Sequence, residues 1–202
     1  MIRVAKICVL VSLVATLLSM AFQVVVVPTA SMERTVLVGD HLLIDRFAYG
    51  PEIPFTHFRL RRLKKVQRGD VVSFHPPGRP GEVYLKRVVA IGGDRVEIRE
   101  GELYLDGEPA VEPYIPGAKR KTWMEAIVVP HGELFMLGDN RDRSEDSRYF
   151  GPVPEKNVIG EPVMVLWSFA IPTREWLRPQ VAAYFDHPVE RLRWGRLFRP
   201  VK

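Results

Sequence analysis

An uncharged, mostly apolar segment near the N-terminus constrains this chain more than any other feature. Residues 7–27 carry no formal charge and follow Arg3 and Lys6. As a helix, a segment of this length covers the roughly 30 Å hydrocarbon core of a bilayer. Basic residues that precede a first span favour the cytoplasmic side. The sequence therefore predicts a cytoplasmic stub and transmembrane anchor at residues 1–27, and an extracytoplasmic body at residues 28–202, held at the cell membrane.

Two other interpretations of this segment compete with a permanent anchor. A cleavable secretory signal usually has an apolar region of about 7–15 residues, which is shorter than this one. In addition, Pro28 lies just before Ala30, where a small residue would be wanted for cleavage. A buried helix of a soluble protein would show a regular spacing of polar residues, which this segment lacks. The later apolar segment at 162–172 is bounded by prolines and is predicted to be a buried strand.

Short apolar or alternating runs follow the anchor, and Gly, Pro and Asp separate them, as in GDVVSFHPPG and RVEIREGELYLDGE. This punctuation is typical of strands and turns. Long amphipathic helices are not evident, so the fold class is predicted to be mainly β, with an antiparallel body of many short strands.

Two segments rich in proline and basic residues, 51–65 and 111–123, interrupt this pattern. They are interpreted either as solvated connections or as contacts with membrane lipid. In the lipid interpretation, the first segment inserts its apolar side chains and its basic side chains bind anionic headgroups. The apolar set is Phe55, Phe58, Leu60 and Leu63, and the basic set is Arg59, Arg61, Arg62, Lys64 and Lys65.

Composition excludes several kinds of site. Cys8 is the single cysteine, so no intrachain disulfide or cysteine-based metal site can form. The histidines are scattered and no H-E-x-x-H motif occurs, so neither metal nor cofactor is expected. The formal net charge of +5 is too small to indicate a nucleic-acid partner, and no helix-turn-helix is recognisable.

A lysine in an apolar strand is a candidate general base. A serine is a poor nucleophile unless a neutral base takes its proton, and the sequence has no G-x-S-x-G motif that would support a Ser-His-Asp triad. In VYLKRVVAI, strand alternation places Lys86 on one face with Tyr84, Val88 and Ala90. Burial there would lower the lysine pKa. Taken alone, the pattern is weak, because strand lysines usually extend to solvent.

Four segments, in order, make the chain similar to the type I signal peptidases. They are PTASMERTVLVGD after the span, RGDVVSFHPP, YLKRVVAIGGD and GDNRDRSEDSRYFGPVP. This resemblance implies that Ser31 is the nucleophile and Lys86 the general base of a serine endopeptidase. It implies removal of signal peptides from exported preproteins after small residues, at A-x-A sites.

The same resemblance implies further roles for single residues. The Ser31 backbone N–H and the Thr29 hydroxyl match the two oxyanion donors. Ser144 matches a serine that orients the neutral lysine, and Asp146 and Arg148 match a supporting ion pair. The signal peptide is expected to bind as an added strand, against pockets whose matching positions are Val27, Pro28, Met32, Val36, Tyr84 and Leu85.

Several positions depart from the family pattern. Arg34 stands where proline is usual, and Ile91 and Gly92 replace the usual Leu-Pro. The interval from Lys86 to Gly138 is short, which predicts a small accessory β subdomain at about residues 97–133. Two alternatives stay open: a catalytically silent, membrane-tethered domain that binds preproteins or partner proteins, and a self-cleaving repressor peptidase. The membrane span disfavours the repressor.

Overall fold

The computed structural model describes residues 2–50, 58, 60–79, 81–115, 121–170 and 191–201. Within these ranges the chain forms two α-helices, α1 (Ile2–Ala21) and α2 (Ser147–Phe150). The strands are β1 (Phe22–Val26), β2 (Asp40–Asp45), β3 (Val71–Phe74), β4 (Tyr84–Ile91), β5 (Arg95–Arg99), β6 (Glu102–Leu105), β7 (Glu108–Pro109), β8 (Met124–Val128), β9 (Glu133–Leu137), β10 (Val153–Pro154), β11 (Val158–Ser168) and β12 (Arg199–Pro200). The predicted mainly β fold is confirmed.

The strands form two antiparallel sheets. The larger sheet has the order β1-β2-β11-β3-β4-β9-β10, and β12 also pairs with β11. Because β11 is long, its first residues pair with β3 and its later residues with β2, so it joins the two halves of this sheet. The smaller sheet, β7-β6-β5-β8, runs from Arg95 to Val128 and overlaps the predicted accessory region at 97–133.

The end of the N-terminal helix differs from the prediction that residues up to 27 belong to the anchor. Helix α1 ends at Ala21, whose carbonyl accepts a hydrogen bond from the Arg46 N–H at 2.8 Å. The next residues form β1, which pairs with β2 from Phe22↔Asp45 to Val26↔His41. The β-branched valines of β1 favour a strand, and pairing satisfies their backbone groups. The body therefore begins at Phe22.

Helix α1 keeps the length and composition of a membrane span. Residues Val4–Ala21 form an apolar window long enough to cross a bilayer, and their side chains are mostly exposed. A 20-residue helix is about 30 Å long. Because β1 follows without a linker, the sheet lies directly beyond the end of this helix.

Strand β4 holds the candidate lysine and does not alternate strictly. The register with β9 shifts between Val88 and Ala90, which marks a β-bulge. Val88 packs with Phe74 and Met136, whereas Val89 and Ala90 both pack in the cluster between the two sheets. The predicted alternation is therefore correct from Tyr84 to Val88 and wrong at Ala90, because the extra residue of the bulge shifts the faces.

The segments between the strands are described only in part. In the basic segment at 51–65, Phe58 and Leu63 are exposed and Leu60 is half-buried, while Phe55 and Arg59 lie outside the described residues. Of the C-terminal residues 172–202, the range 191–201 is described and packs on the larger sheet through β12.

Candidate active site

Ser31 lies in a tight turn that follows β1. Residues Ala30–Met32 form one turn of 3-10 helix, in which the Glu33 N–H donates to the Ala30 carbonyl at 3.0 Å. The Val36 N–H donates to the Met32 carbonyl at the same distance. Ser31 is 6% exposed, so its hydroxyl is held at the protein interior.

Lys86 reaches Ser31 from β4. Its Nζ lies 2.8 Å from Ser31 Oγ, and the residue is 4% exposed. Burial lowers the pKa of Lys86 to about 8, because the charged amine loses solvation, while the carboxylates of Asp146, Glu145 and Asp139 oppose this shift. A large part of the amine is therefore neutral slightly above neutral pH, as a general base requires.

The Gly-Asp-Asn loop, residues 138–140, supports the turn that carries Ser31. The Asn140 N–H donates to the Ser31 carbonyl at 3.0 Å, and Asn140 Nδ2 donates to the Ala30 carbonyl at 3.1 Å. A Cβ added to Gly138 would lie 2.6 Å from the Ser31 carbonyl oxygen. The close approach of these two segments explains why glycine occupies this position.

The residues expected to support Lys86 lie beside this loop. Asp146 and Arg148 form the expected ion pair, with Arg148 Nε 2.8 Å from Asp146 Oδ1. Asp146 Oδ2 also accepts the Gly138 N–H at 3.1 Å. The buried Ser144 hydroxyl has no hydrogen-bond partner within the described part of the chain. Its orientation of the Lys86 amine stays a prediction.

A second buried ion pair lies behind the site. The Arg87 guanidinium binds Asp139 in a bidentate manner, at 2.9 Å to Oδ1 and 2.8 Å to Oδ2. The Thr35 hydroxyl donates to Asp139 Oδ2 at 2.5 Å. This cluster links β4, the Gly-Asp-Asn loop and the loop after Ser31. Arg87 follows Lys86 in β4, so its side chain lies on the other face of the strand. Asp139 is 52 residues further along the chain, and no sequence pattern indicated that the two residues pair.

A groove of about 490 Å³ opens above Ser31 and Lys86. One wall is β1, which pairs only with β2 among the described strands, so that its other edge borders the groove. Five of the six predicted substrate-binding residues line it: Val27, Pro28, Met32, Tyr84 and Leu85. Lining residues that the motifs did not indicate are Val25, Val26, Leu42, Ser73, Glu82, Val83, Arg143 and Glu145.

The sixth predicted substrate-binding residue, Val36, does not line the groove. Its side chain is fully buried and packs with Met32 and Leu42 in the core beneath it. The direct contact predicted for Val36 is therefore wrong in this structure, because the chain turns inward after Met32.

Thr29 lies at the mouth of the groove. It is exposed, and its hydroxyl lies 3.3 Å from Ser31 Oγ. A donor at this distance from the nucleophile is suitably placed for an oxygen that becomes negative when the serine attacks.

The fold and the site define a β-sheet protein in which a buried serine–lysine pair faces an apolar groove, beside a strand edge that has no partner among the described residues. This chain belongs to the signal peptidase family, peptidase S26, whose model matches residues 1–167. The match to the family model ends at residue 167, before the last part of the chain.

Curated relatives agree with this membership. Signal peptidase I of Pseudomonas aeruginosa is 33% identical, over 72% of this chain and 65% of the relative. Probable signal peptidase I-1 of Synechocystis sp. is 34% identical, over 74% of this chain and 71% of the relative. The chain thus spans about two thirds of the length of such relatives. A signal peptidase I crystal structure from Enterococcus faecalis is 35% identical over 48% of this chain and 97% of that chain, with a TM-score of 0.43.

Proposed function

We propose that this chain is a membrane-anchored serine endopeptidase that removes N-terminal signal peptides from exported preproteins. Ser31 is the nucleophile and Lys86 the general base. The observation that carries the proposal is the 2.8 Å distance between Lys86 Nζ and Ser31 Oγ at the bottom of the groove. Membership of the signal peptidase family supports the substrate class.

The reaction proceeds through an acyl-enzyme. Neutral Lys86 accepts the hydroxyl proton as Ser31 Oγ attacks the scissile carbonyl carbon. The Thr29 hydroxyl and the Ser31 backbone N–H stabilise the resulting oxyanion. When the tetrahedral intermediate collapses, the Lys86 ammonium gives its proton to the leaving amine of the mature protein. Neutral Lys86 then takes a proton from water, which attacks the acyl-enzyme. When this second tetrahedral intermediate collapses, the Lys86 ammonium returns the proton to Ser31 Oγ and the signal peptide is released.

The groove supports the expectation that residues before the cut are small. An extended peptide adds as a strand at the edge of β1 that is unpaired among the described strands, opposite residues 82–85, and its backbone supplies most of the hydrogen bonds. Alternate side chains of such a strand point to the same wall, so the first and third residues before the cut face the same apolar surface. Apolar side chains, among them Met32 and Leu85, line this surface, which suits the two alanines of an A-x-A sequence.

The anchor sets the place of cleavage. With Arg3 and Lys6 on the cytoplasmic side, the body lies on the extracytoplasmic side. Because β1 continues directly from α1, the groove is held close to the bilayer, where an exported signal peptide ends its own span.

Cleavage of a purified preprotein with an A-x-A site, by the full chain in detergent or liposomes, tests this proposal. We expect Ser31→Ala and Lys86→Ala to abolish cleavage and Lys156→Ala, which changes an exposed lysine, to retain it. Circular dichroism is used to check that each variant is folded. If the folded wild type binds such preproteins and leaves them intact, the function is that of a silent, membrane-tethered binding domain.

A further inference from the structure

We propose that residues 193–201 form a C-terminal clamp that holds the loop after the nucleophile, residues 33–40, and that Arg196 is a positioning residue for Ser31. The catalytic part of this inference rests on the proposed function. The clamp lies beyond residue 167, where the match to the family model ends. The sequence motifs therefore assign it no role.

The central contact is a buried ion pair. Arg196 Nε donates to Asp40 Oδ1 at 2.9 Å, and Arg196 Nη2 donates to Asp40 Oδ2 at 2.5 Å. Asp40 is fully buried and Arg196 is 7% exposed. Arg196 Nη2 also lies 3.4 Å from the Thr35 carbonyl oxygen. A bidentate pair of this kind fixes both direction and distance, and removal of the arginine leaves a buried carboxylate without compensation.

Asp40 transmits this contact to the loop. Its Oδ2 accepts the Leu37 N–H at 2.8 Å, and its own N–H donates to the Leu37 carbonyl at 3.0 Å. Its carbonyl accepts the Val27 N–H at 2.9 Å, and Val27 lines the groove. The carboxylate that Arg196 holds therefore closes the loop that begins at the Ser31 turn.

Two further contacts fasten the same segment. Arg193 Nη1 donates to the Val38 carbonyl at 2.8 Å and to Ser168 Oγ at 3.0 Å. Val201 packs against the core cluster that contains Met32, the residue after the nucleophile. The clamp thus binds the loop at Thr35, Val38 and Asp40 and also packs on the core cluster to which Met32 belongs.

A loosened loop should slow the chemical step more than binding. A misplacement of about 1 Å can cost roughly a hundredfold in rate. The hydrogen-bond partners of the Arg196 guanidinium in the described structure, Asp40 and Thr35, do not line the groove. We therefore expect kcat to fall about tenfold to a hundredfold in Arg196→Met, with KM within about twofold of wild type.

The experiment compares Arg196→Met with Arg199→Met, which changes an exposed arginine of the same segment, in the full chain in detergent. Preprotein cleavage gives kcat and KM per folded molecule, and amide hydrogen exchange gives the protection of residues 33–40. We expect faster exchange and lower kcat in Arg196→Met alone. The rising limb of the pH profile should not move, because Lys86 keeps its surroundings.

Arg196→Lys keeps the charge and loses the bidentate geometry, so it should change both readouts in the same direction by less. Equal exchange of residues 33–40 in the Arg196 variants and the Arg199 control overturns the clamp, and an unchanged kcat overturns the positioning role. A wild type that cleaves no preprotein refutes the proposed function instead, and hydrogen exchange then decides the clamp by itself.

Discussion

Cleavage should depend on pH through the protonation of Lys86, and Glu145→Gln should shift this dependence to lower pH. With a pKa of about 8, about one tenth of Lys86 is neutral at pH 7. With the ordinary value of 10.5, the neutral share would be about 0.03%. Burial thus raises the reactive fraction at pH 7 about 300-fold. The rate should rise with pH and level off above about pH 8.

Glu145 lines the groove and is one of the carboxylates that stabilise the charged form of Lys86. Its replacement by glutamine removes this negative charge and the closer of two carboxylate partners of Arg79, at 2.5 Å, which leaves Glu82 at 3.8 Å. Both changes disfavour the ammonium, so they lower the pKa of Lys86. The matched control is Glu82→Gln, which also removes a groove carboxylate but not one that acts on Lys86.

The assay is kcat/KM for a preprotein peptide between pH 6 and pH 10, in detergent at constant ionic strength. We expect the midpoint of the rising limb near pH 8 for wild type and Glu82→Gln, and at lower pH for Glu145→Gln. The reasoning is refuted if the wild-type midpoint lies near 10.5, or if the two variants move it equally.

Four other changes test single contacts. Thr29→Val should lower kcat about a hundredfold in single-turnover cleavage, with Thr29→Ser close to wild type, because the oxyanion loses a donor. Gly138→Ala should reduce activity at least about tenfold, since its Cβ would lie 2.2 Å from Ser144 Oγ. Arg34 has a φ of 99°, so Arg34→Gly should raise the free energy of unfolding by about 1 kcal/mol in denaturant titrations. Arg34→Pro should lower the free energy of unfolding, because proline locks φ at about −65°. Lys86→Met should raise the free energy of unfolding at pH 7 by about 1–3 kcal/mol. Because burial lowers the Lys86 pKa in the folded state, this gain should shrink as pH rises from about 8 towards 10.5.

The departure at Arg34 has a structural consequence that the motif comparison did not indicate. A proline in the usual family position requires a negative φ, whereas this chain turns through the left-handed region there. The backbone beside Ser31 therefore differs locally from the one that the family pattern implies, although Ser31 still lies within hydrogen-bond distance of Lys86.

Local patterns determined much of the fold. Alternating runs separated by Gly, Pro and Asp predicted an antiparallel β body, and the run at 162–172 predicted the strand that became β11. The motifs predicted Ser31 and Lys86 as partners, which the structure brings within hydrogen-bond distance. These features depend on residues close in sequence, or on motifs whose residue types carry the chemistry themselves.

Other features were decided by contacts between distant parts of the chain. Hydropathy could not show where the helix ends within residues 7–27, because valines suit a membrane helix and a strand alike. In the structure the helix ends at Ala21, and the next residues pair with β2. The sequence marked Lys86 as a candidate base, but the burial that lowers its pKa arises only in the folded chain. Asp40 and Arg196 lie 156 residues apart and meet only in the folded chain. A sequence displays residue types and short-range periodicity, whereas desolvation and long-range charge pairing arise only when the sheet closes around them.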